Sequence, residues 1–486
     1  AAYYADLIAN QHAALQGGEA GRAMQLLLPE QNNLRQAWQH LLEAKQFAQL
    51  DQMADGFGLF LHTGAYNLAG TQLFGEAARR LAQDNKQVAL LSKLLGWQAN
   101  FIFRQGFATQ AGALFVRQRD IAQAADDVRQ VALAELGLAL VANRHSQAER
   151  VQRHANKAHV LFEQIQDEAG IIAALHQLGI VHHIRDEPIA AIGIYEQVVQ
   201  TAKLLNRQPA ALSSLINIGY ILSNRGEYHE AALRLQQAER LLEQAAFSLE
   251  QGRLFYHLGR VTFFLGDFAK AQQYFEQSRA AHLRSGDRHG ILSAQRWLGR
   301  VLGARGQLGD ARRWLQQSLQ MARQLELDTS MALGHQYLGL VEEWAGHFSE
   351  AATHYAESLT IMRALNRWQG DMLVSFDNLA RVSVKAGRFS AAQGYLDEGM
   401  TVAQAVHDEQ ANLSLLVTAA MGLIQEKRPL LAQRLLKTVL ADGRITAVVR
   451  QRAEQLVDEL DQEADVEQVA FASLVEAIEV AKNLSA

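Results

Sequence analysis

The stretch Leu258-Gly259-Arg260-Val261-Thr262-Phe263-Phe264-Leu265-Gly266-Asp267-Phe268-Ala269-Lys270-Ala271-Gln272-Gln273-Tyr274-Phe275 reads as two helices joined by a turn. Gly259 is small where two helices must approach closely. Gly266 can take the left-handed backbone conformation that ends a helix without a Cβ penalty. Ala271 and Phe275 lie one turn apart, on one face of the second helix. These features recur. Leu178-Gly179, Ile218-Gly219, Leu258-Gly259, Leu298-Gly299 and Leu338-Gly339 step by 40 (219 − 179, and so on), and Leu379-Ala380 and Ala419-Ala420 continue the series. The turn glycine returns as Gly226, Gly306, Gly346 and Gly387. The second-helix pair returns as Ala191/Tyr195, Ala231/Leu235, Ala311/Leu315, Ala351/Tyr355 and Ala392/Leu396. A single such unit cannot bury its apolar face, so the units must stack into one continuous core. The expected fold is all-α: an α-solenoid, a right-handed superhelix of about ten hairpins.

The composition agrees. The 486 residues include only 4 Pro and no Cys, with 20% charged and 49% hydrophobic residues. The absence of Cys excludes disulfide scaffolds, Cys nucleophiles and Cys-ligated metal sites. A net charge of −5 gives no global reason to bind nucleic acid or an acidic membrane. No run reaches the roughly 18 apolar residues of a membrane span. The chain begins Ala-Ala-Tyr-Tyr without a Met or a secretory signal, so a piece of a longer polypeptide is expected.

Leu-Gly, Gly and Ala-x-x-x-aromatic in this order resemble the tetratricopeptide repeat. HEAT and armadillo arrays share a period of about 40 but do not require this Gly and Ala placement. Two features depart from the family: the closing Pro is absent, and the period is 40 rather than about 34. The expected domains are a helical segment over 1–45, the repeat array over 46–440 and capping helices over 441–486. Within the first segment, Glu30-Gln31-Asn32-Asn33-Leu34-Arg35-Gln36-Ala37-Trp38 is similar to the segment that precedes tetratricopeptide arrays in STAND signal-transduction ATPases. That resemblance implies a cytoplasmic sensor domain joined to an upstream ATPase core. Trigger binding would relieve autoinhibition and permit oligomerisation. The alternative is a stand-alone scaffold or signalling-peptide receptor.

Catalytic signatures are missing. The sequence has no Gly-x-x-x-x-Gly-Lys-Ser/Thr, His-Glu-x-x-His or Gly-x-Ser-x-Gly. His182-His183 with Asp186 and Glu187 suggests a metal, but adjacent helical residues point about 100° apart. Neither catalysis, a cofactor nor a metal is expected in this chain.

Function should then lie on the concave face, which first helices line in tetratricopeptide arrays. The positions three before, two before and one after the small residue, with those one turn away, give Asn217, Tyr220, Arg253, Tyr256, His257, Arg260, Arg296, Trp297, Arg300, Tyr337, Asn378 and Arg381 as candidate ligand-binding residues. Arg grips carboxylate or phosphate bidentately, and aromatic rings add stacking area. Asn217 and Asn378 match positions where peptide-binding members of the family place an Asn on the peptide backbone. The expected partner is a peptide or protein, acidic in part, or an anionic small molecule, with no role for nucleic acid or membrane.

Overall fold

The structure is a computed structural model that describes residues 1–83, 87–245, 250–365, 369–461 and 470–483. These contain 26 helices and no strand. The chain forms two compact units, residues 1–294 and 295–486.

The first unit begins with α1 (Ala2–Asn10), α2 (His12–Gln16), α3 (Ala20–Leu27) and α4 (Gln31–Glu43). Six hairpins follow: α5 (Phe47–Thr63) with α6 (Asn67–Leu81), α7 (Val88–Arg104) with α8 (Ala108–Ala124), α9 (Val128–Arg144) with α10 (Ala148–Gln164), α11 (Glu168–Ile184) with α12 (Pro188–Leu204), α13 (Gln208–Asn224) with α14 (Tyr228–Ala245), and α15 (Gln251–Phe264) with α16 (Phe268–Ser285). α17 (Arg288–Ala304) starts within residues 288–294 and runs on into the second range, where it pairs with α18 (Leu308–Gln324). The second unit continues with α19 (Asp328–Trp344) and α20 (Phe348–Leu365), α21 (Gln369–Lys385) and α22 (Phe389–Ala405), α23 (Glu409–Gln425) and α24 (Pro429–Ala441). α25 (Ala447–Asp461) and α26 (Leu474–Lys482) end it.

The period of 40 divides into two equal halves. Most helices from α7 to α19 are 17 residues long and are separated by three-residue turns. The middle residue of each turn is left-handed. It is Gly at Gly226, Gly306 and Gly346, but a side-chain-bearing residue at Asp126 (φ 53°), Gln166 (φ 55°), Asn206 (φ 53°) and Glu326 (φ 53°). Such a residue costs about 1 kcal/mol or more. It ends the second helices in place of the missing Pro, and its backbone N–H caps the preceding helix, as Gln166 N does to Glu163 O at 3.1 Å.

The small residue of each first helix receives the large side chain of a second helix. A Cβ on Gly179 would lie 2.7 Å from the Tyr195 ring, and one on Gly339 2.7 Å from the Tyr355 ring. Both rings are fully buried. At the N-terminal end the core is aromatic instead. Trp38 of α4 lies 5.3 Å from Phe57 and 4.8 Å from Phe74, centroid to centroid.

Within the first unit the superhelical turn brings distant hairpins together. Asn67 Nδ2 donates to Ser285 O at 2.7 Å, across 218 residues of sequence. The N-terminal helices sit inside this turn. His12 and Gln16 lie among the first-helix residues Asp55, Lys93, Trp97 and Arg129. In the second unit α25 stacks on α23 and α24. α26 returns to α22, α23 and α24, burying Ala477, Ile478 and Ala481 in the C-terminal core.

Candidate functional site

Five first helices line a groove of about 970 Å³ in the second unit. α17 supplies Arg300. α19 supplies Gln336, Tyr337, Leu340, Glu343 and Trp344. α21 supplies Asn378, Arg381 and Lys385, α23 supplies Ser414, and α25 supplies Arg452 and Leu456. Among the described residues no second-helix residue lines it. The repeat explains this in α19 and α21, where positions −3, −2 and +1 all reach the groove, while Gly339 faces Tyr355 of the second helix.

Of the candidates in this unit, Arg300, Tyr337, Asn378 and Arg381 come together here. The Arg300 guanidinium lies 4.7 Å from the Trp297 ring centroid and 5.3 Å from that of Tyr337, a cation–π arrangement. Arg381 is bound to Glu343 and donates to Asn378 Oδ1 at 2.6 Å. The Asn378 amide is thereby oriented, and its Nδ2 makes no hydrogen bond among the described residues. Trp297 (4% exposed) and Arg296 (7% exposed) are not groove walls. Arg296 lies in the packing layer, where its Nε and Nη1 are buried without a hydrogen-bond partner among the described residues.

The candidate ligand-binding residues left out the carboxylates. Glu343 is buried and accepts from Tyr355 OH at 3.1 Å and from Lys385 Nζ at 2.8 Å as well as from Arg381. Burial pushes its carboxyl up, but Arg381 and Lys385 bring it below the usual carboxylate range. Asp377 accepts from Ser414 Oγ at 3.0 Å, from Thr418 Oγ1 and from Arg452 Nη1 at 3.1 Å, fastening α25 to α21 and α23. The basic strip read from the sequence is thus interleaved with acid: Arg300, Arg381, Lys385 and Arg452 face Glu343, Asp377, Asp408 and Glu459. One signal was available. Partners on successive first helices are 36 to 42 residues apart, as in Arg253–Asn217, Arg381–Glu343, Lys385–Glu343 and Thr418–Asp377.

The other candidates lie in the first unit. Arg253 is engaged by Glu250 and donates through Nη2 to Asn217 Oδ1 at 2.7 Å. Asn217 Nδ2 lies 3.3 Å from His176 Nε2, and His176 Nδ1 lies 3.0 Å from Ser214 Oγ. Tyr220 stands between His183 and His257, 5.1 Å and 5.2 Å from their rings, and His257 contacts Tyr256. Arg260 lies over Tyr220 and donates to Asn224 Oδ1 at 3.0 Å. Burial, reinforced by Arg260 and Arg253, holds the His257 imidazole well below its ordinary range. His182 and His183 diverge, the first meeting Glu187 at 2.5 Å and the second packing on Tyr220. Among the described residues no group of three His, Asp or Glu side chains is placed to hold a metal ion. No described helix is long and apolar enough to cross a membrane.

A tetratricopeptide-repeat family model matches residues 250–324. The array is a tetratricopeptide-like solenoid. Among solved structures, a Rap protein complexed with competence and sporulation factor is similar at 14% identity and a TM-score of 0.50. The match covers 69% of this chain and 100% of that one. NprR in complex with its cognate peptide NprX is similar at 14% identity and a TM-score of 0.51, over 72% of this chain and 98% of that one. At such identities the likeness concerns the fold. No curated protein matches the sequence.

Proposed function

We propose that this chain is a non-catalytic receptor that holds an extended peptide in the groove of residues 295–486, as the ligand-sensing part of a signalling protein. The observation that carries this is the groove itself, a trough of about 970 Å³ running along successive first helices. Its length suits an extended chain, and Asn378 presents an oriented amide to it. Leu340, Trp344, Val374 and Leu456 offer apolar contact between the polar groups. The interleaved charge favours a peptide of mixed sequence over a strongly acidic one. The cognate peptide held by the similar NprR structure supports the same reading.

A second reading, the sensor domain of a STAND-type ATPase, is favoured by the segment Glu30–Trp38. Leu34, Ala37 and Trp38 of that segment are buried in the first unit's core, so it is built into the array and gives an upstream domain a rigid attachment. On this reading the same peptide is the trigger that relieves autoinhibition. ATP hydrolysis by the chain with its upstream sequence, rising on peptide addition, would distinguish the sensor from a stand-alone receptor.

The groove is tested by selecting binders from a random dodecapeptide display library and measuring their affinity by fluorescence polarisation. Removing the Asn378 hydrogen bond and the Tyr337 ring together should weaken binding roughly 30-fold or more. Equal affinity of the Asn378→Ala/Tyr337→Ala variant would reject the assignment.

A further inference from the structure

The first unit holds a separate cavity of about 300 Å³, where the N-terminal helices meet the starts of α11, α13 and α15. This volume is at the lower end of the range for small-molecule sites. Its walls are mainly apolar, with Leu15, Leu59, Ile172, Leu212 and Leu241 contributing. Arg104, His62 and Gln208 are among the polar groups that line it, with Gln16, Thr63, Arg207 and Glu250. Arg104 makes no hydrogen bond or ion pair among the described residues. Among the described residues, His62 Nδ1 is buried without a hydrogen-bond partner, as is Gln208 Oε1. The one carboxylate present, Glu250, is engaged by Arg253. The cavity therefore has an apolar body and a half-buried guanidinium that feels the Glu250 carboxylate through space but makes no hydrogen bond or ion pair among the described residues. A guanidinium in such surroundings is best satisfied by a charge-assisted, bidentate contact with a carboxylate.

We infer that this cavity binds a medium-chain monocarboxylic acid of roughly ten carbons, its carboxylate on Arg104 and its chain among the leucines. This site is independent of the peptide groove. Leu15, Gln16, Gly17 and Ala20 form part of its wall, so the ligand ties the N-terminal helices to α11 and α13. The contact already there is slender. Arg207 Nη1 donates to Gln16 Oε1 at 2.8 Å, and Gly18 lies so close to Gln208 that a Cβ would sit 2.9 Å from its Nε2. A bound acid would add apolar contact on both sides of this junction.

The probe is decanoate, with 1-decanol as the uncharged control, in isothermal titration against the whole chain. The expected result is 1:1 binding of decanoate, at least tenfold weaker binding of decanol, and slower amide exchange over residues 12–27. Arg104→Met should weaken decanoate binding tenfold or more. Ala173→Phe, which fills the cavity from α11, should abolish it. Arg104 is partly exposed, so its variant remains informative if Ala173→Phe does not fold. No decanoate binding, binding at several sites per chain, or equal affinity for the Arg104→Met variant would overturn the inference. Variants of Asn378 and Tyr337 leave this assay untouched, which separates its failure from failure of the groove reading.

Discussion

Replacing Glu343 with Gln should destabilise the second unit by about 3 kcal/mol. Glu343 accepts from Arg381, Lys385 and Tyr355, and its side chain is only 3% exposed. The Lys385 side chain is 37% exposed, so its ion pair is worth about 0–1 kcal/mol. Arg381 is different, with its side chain only 16% exposed. Removing one partner of a buried pair costs about 3–5 kcal/mol, because the other charge is left uncompensated. Gln retains one acceptor oxygen, which places the expectation at the lower end of that range. Arg381→Met removes the stranded charge, so the double variant should cost at least about 1 kcal/mol less than the sum of the singles. A solenoid opens in neighbouring units rather than all at once. The appropriate assay is therefore native-state hydrogen exchange on the amides of α19, α20 and α21. A loss below about 1 kcal/mol, or strict additivity with Arg381→Met, would refute the argument that Glu343 organises the groove wall.

Burial, with a smaller push from Arg104, lowers the His62 imidazole to about 3, and burial with Arg253 lowers that of His176 to about 4. Their folded values lie below the ordinary 6.5, so their stabilisation is complete above that pH and is lost as pH falls. At pH 4.5 each should have withdrawn about 2–3 kcal/mol from the first unit, which urea titrations at pH 7 and 4.5 would show and a His62→Leu/His176→Leu variant would flatten. Gln166→Gly and Glu326→Gly remove left-handed strain at φ 55° and 53°, and each should stabilise by up to about 0.5–1 kcal/mol; a lower melting temperature would contradict this. Trp38→Ala empties the aromatic core at Phe57 and Phe74 and should cost about 3–5 kcal/mol. The loss should appear as faster exchange in α1, α4 and α5 with α19–α24 unchanged.

The hairpins were legible because a recurring Gly, Ala and ring mark where helices must touch, and Gly259, Gly339 and Tyr355 do that in the structure. The half-period of 20 was hidden. Asp126, Gln166, Asn206 and Glu326 stop helices as left-handed residues without the glycine that announces such a stop. The groove face was legible by position, since −2 and +1 put Tyr337, Asn378, Arg300 and Arg381 together. Position −3 was not, because whether it faces the groove or the packing layer depends on how neighbouring helices sit: Gln336 and Asp377 line the groove, while Arg296 does not. The contacts of the N-terminal helices with Arg207 and Gln208 had no signal either. They join residues 191 apart that share no repeat position.

Hydrogen exchange on the chain saturated with a selected peptide would test the central claim most directly. The account predicts slowed exchange in the groove-lining helices α19, α21 and α23, with α20, α22 and α24 little changed. Protection confined to α20, α22 and α24, or to the first unit alone, would contradict it.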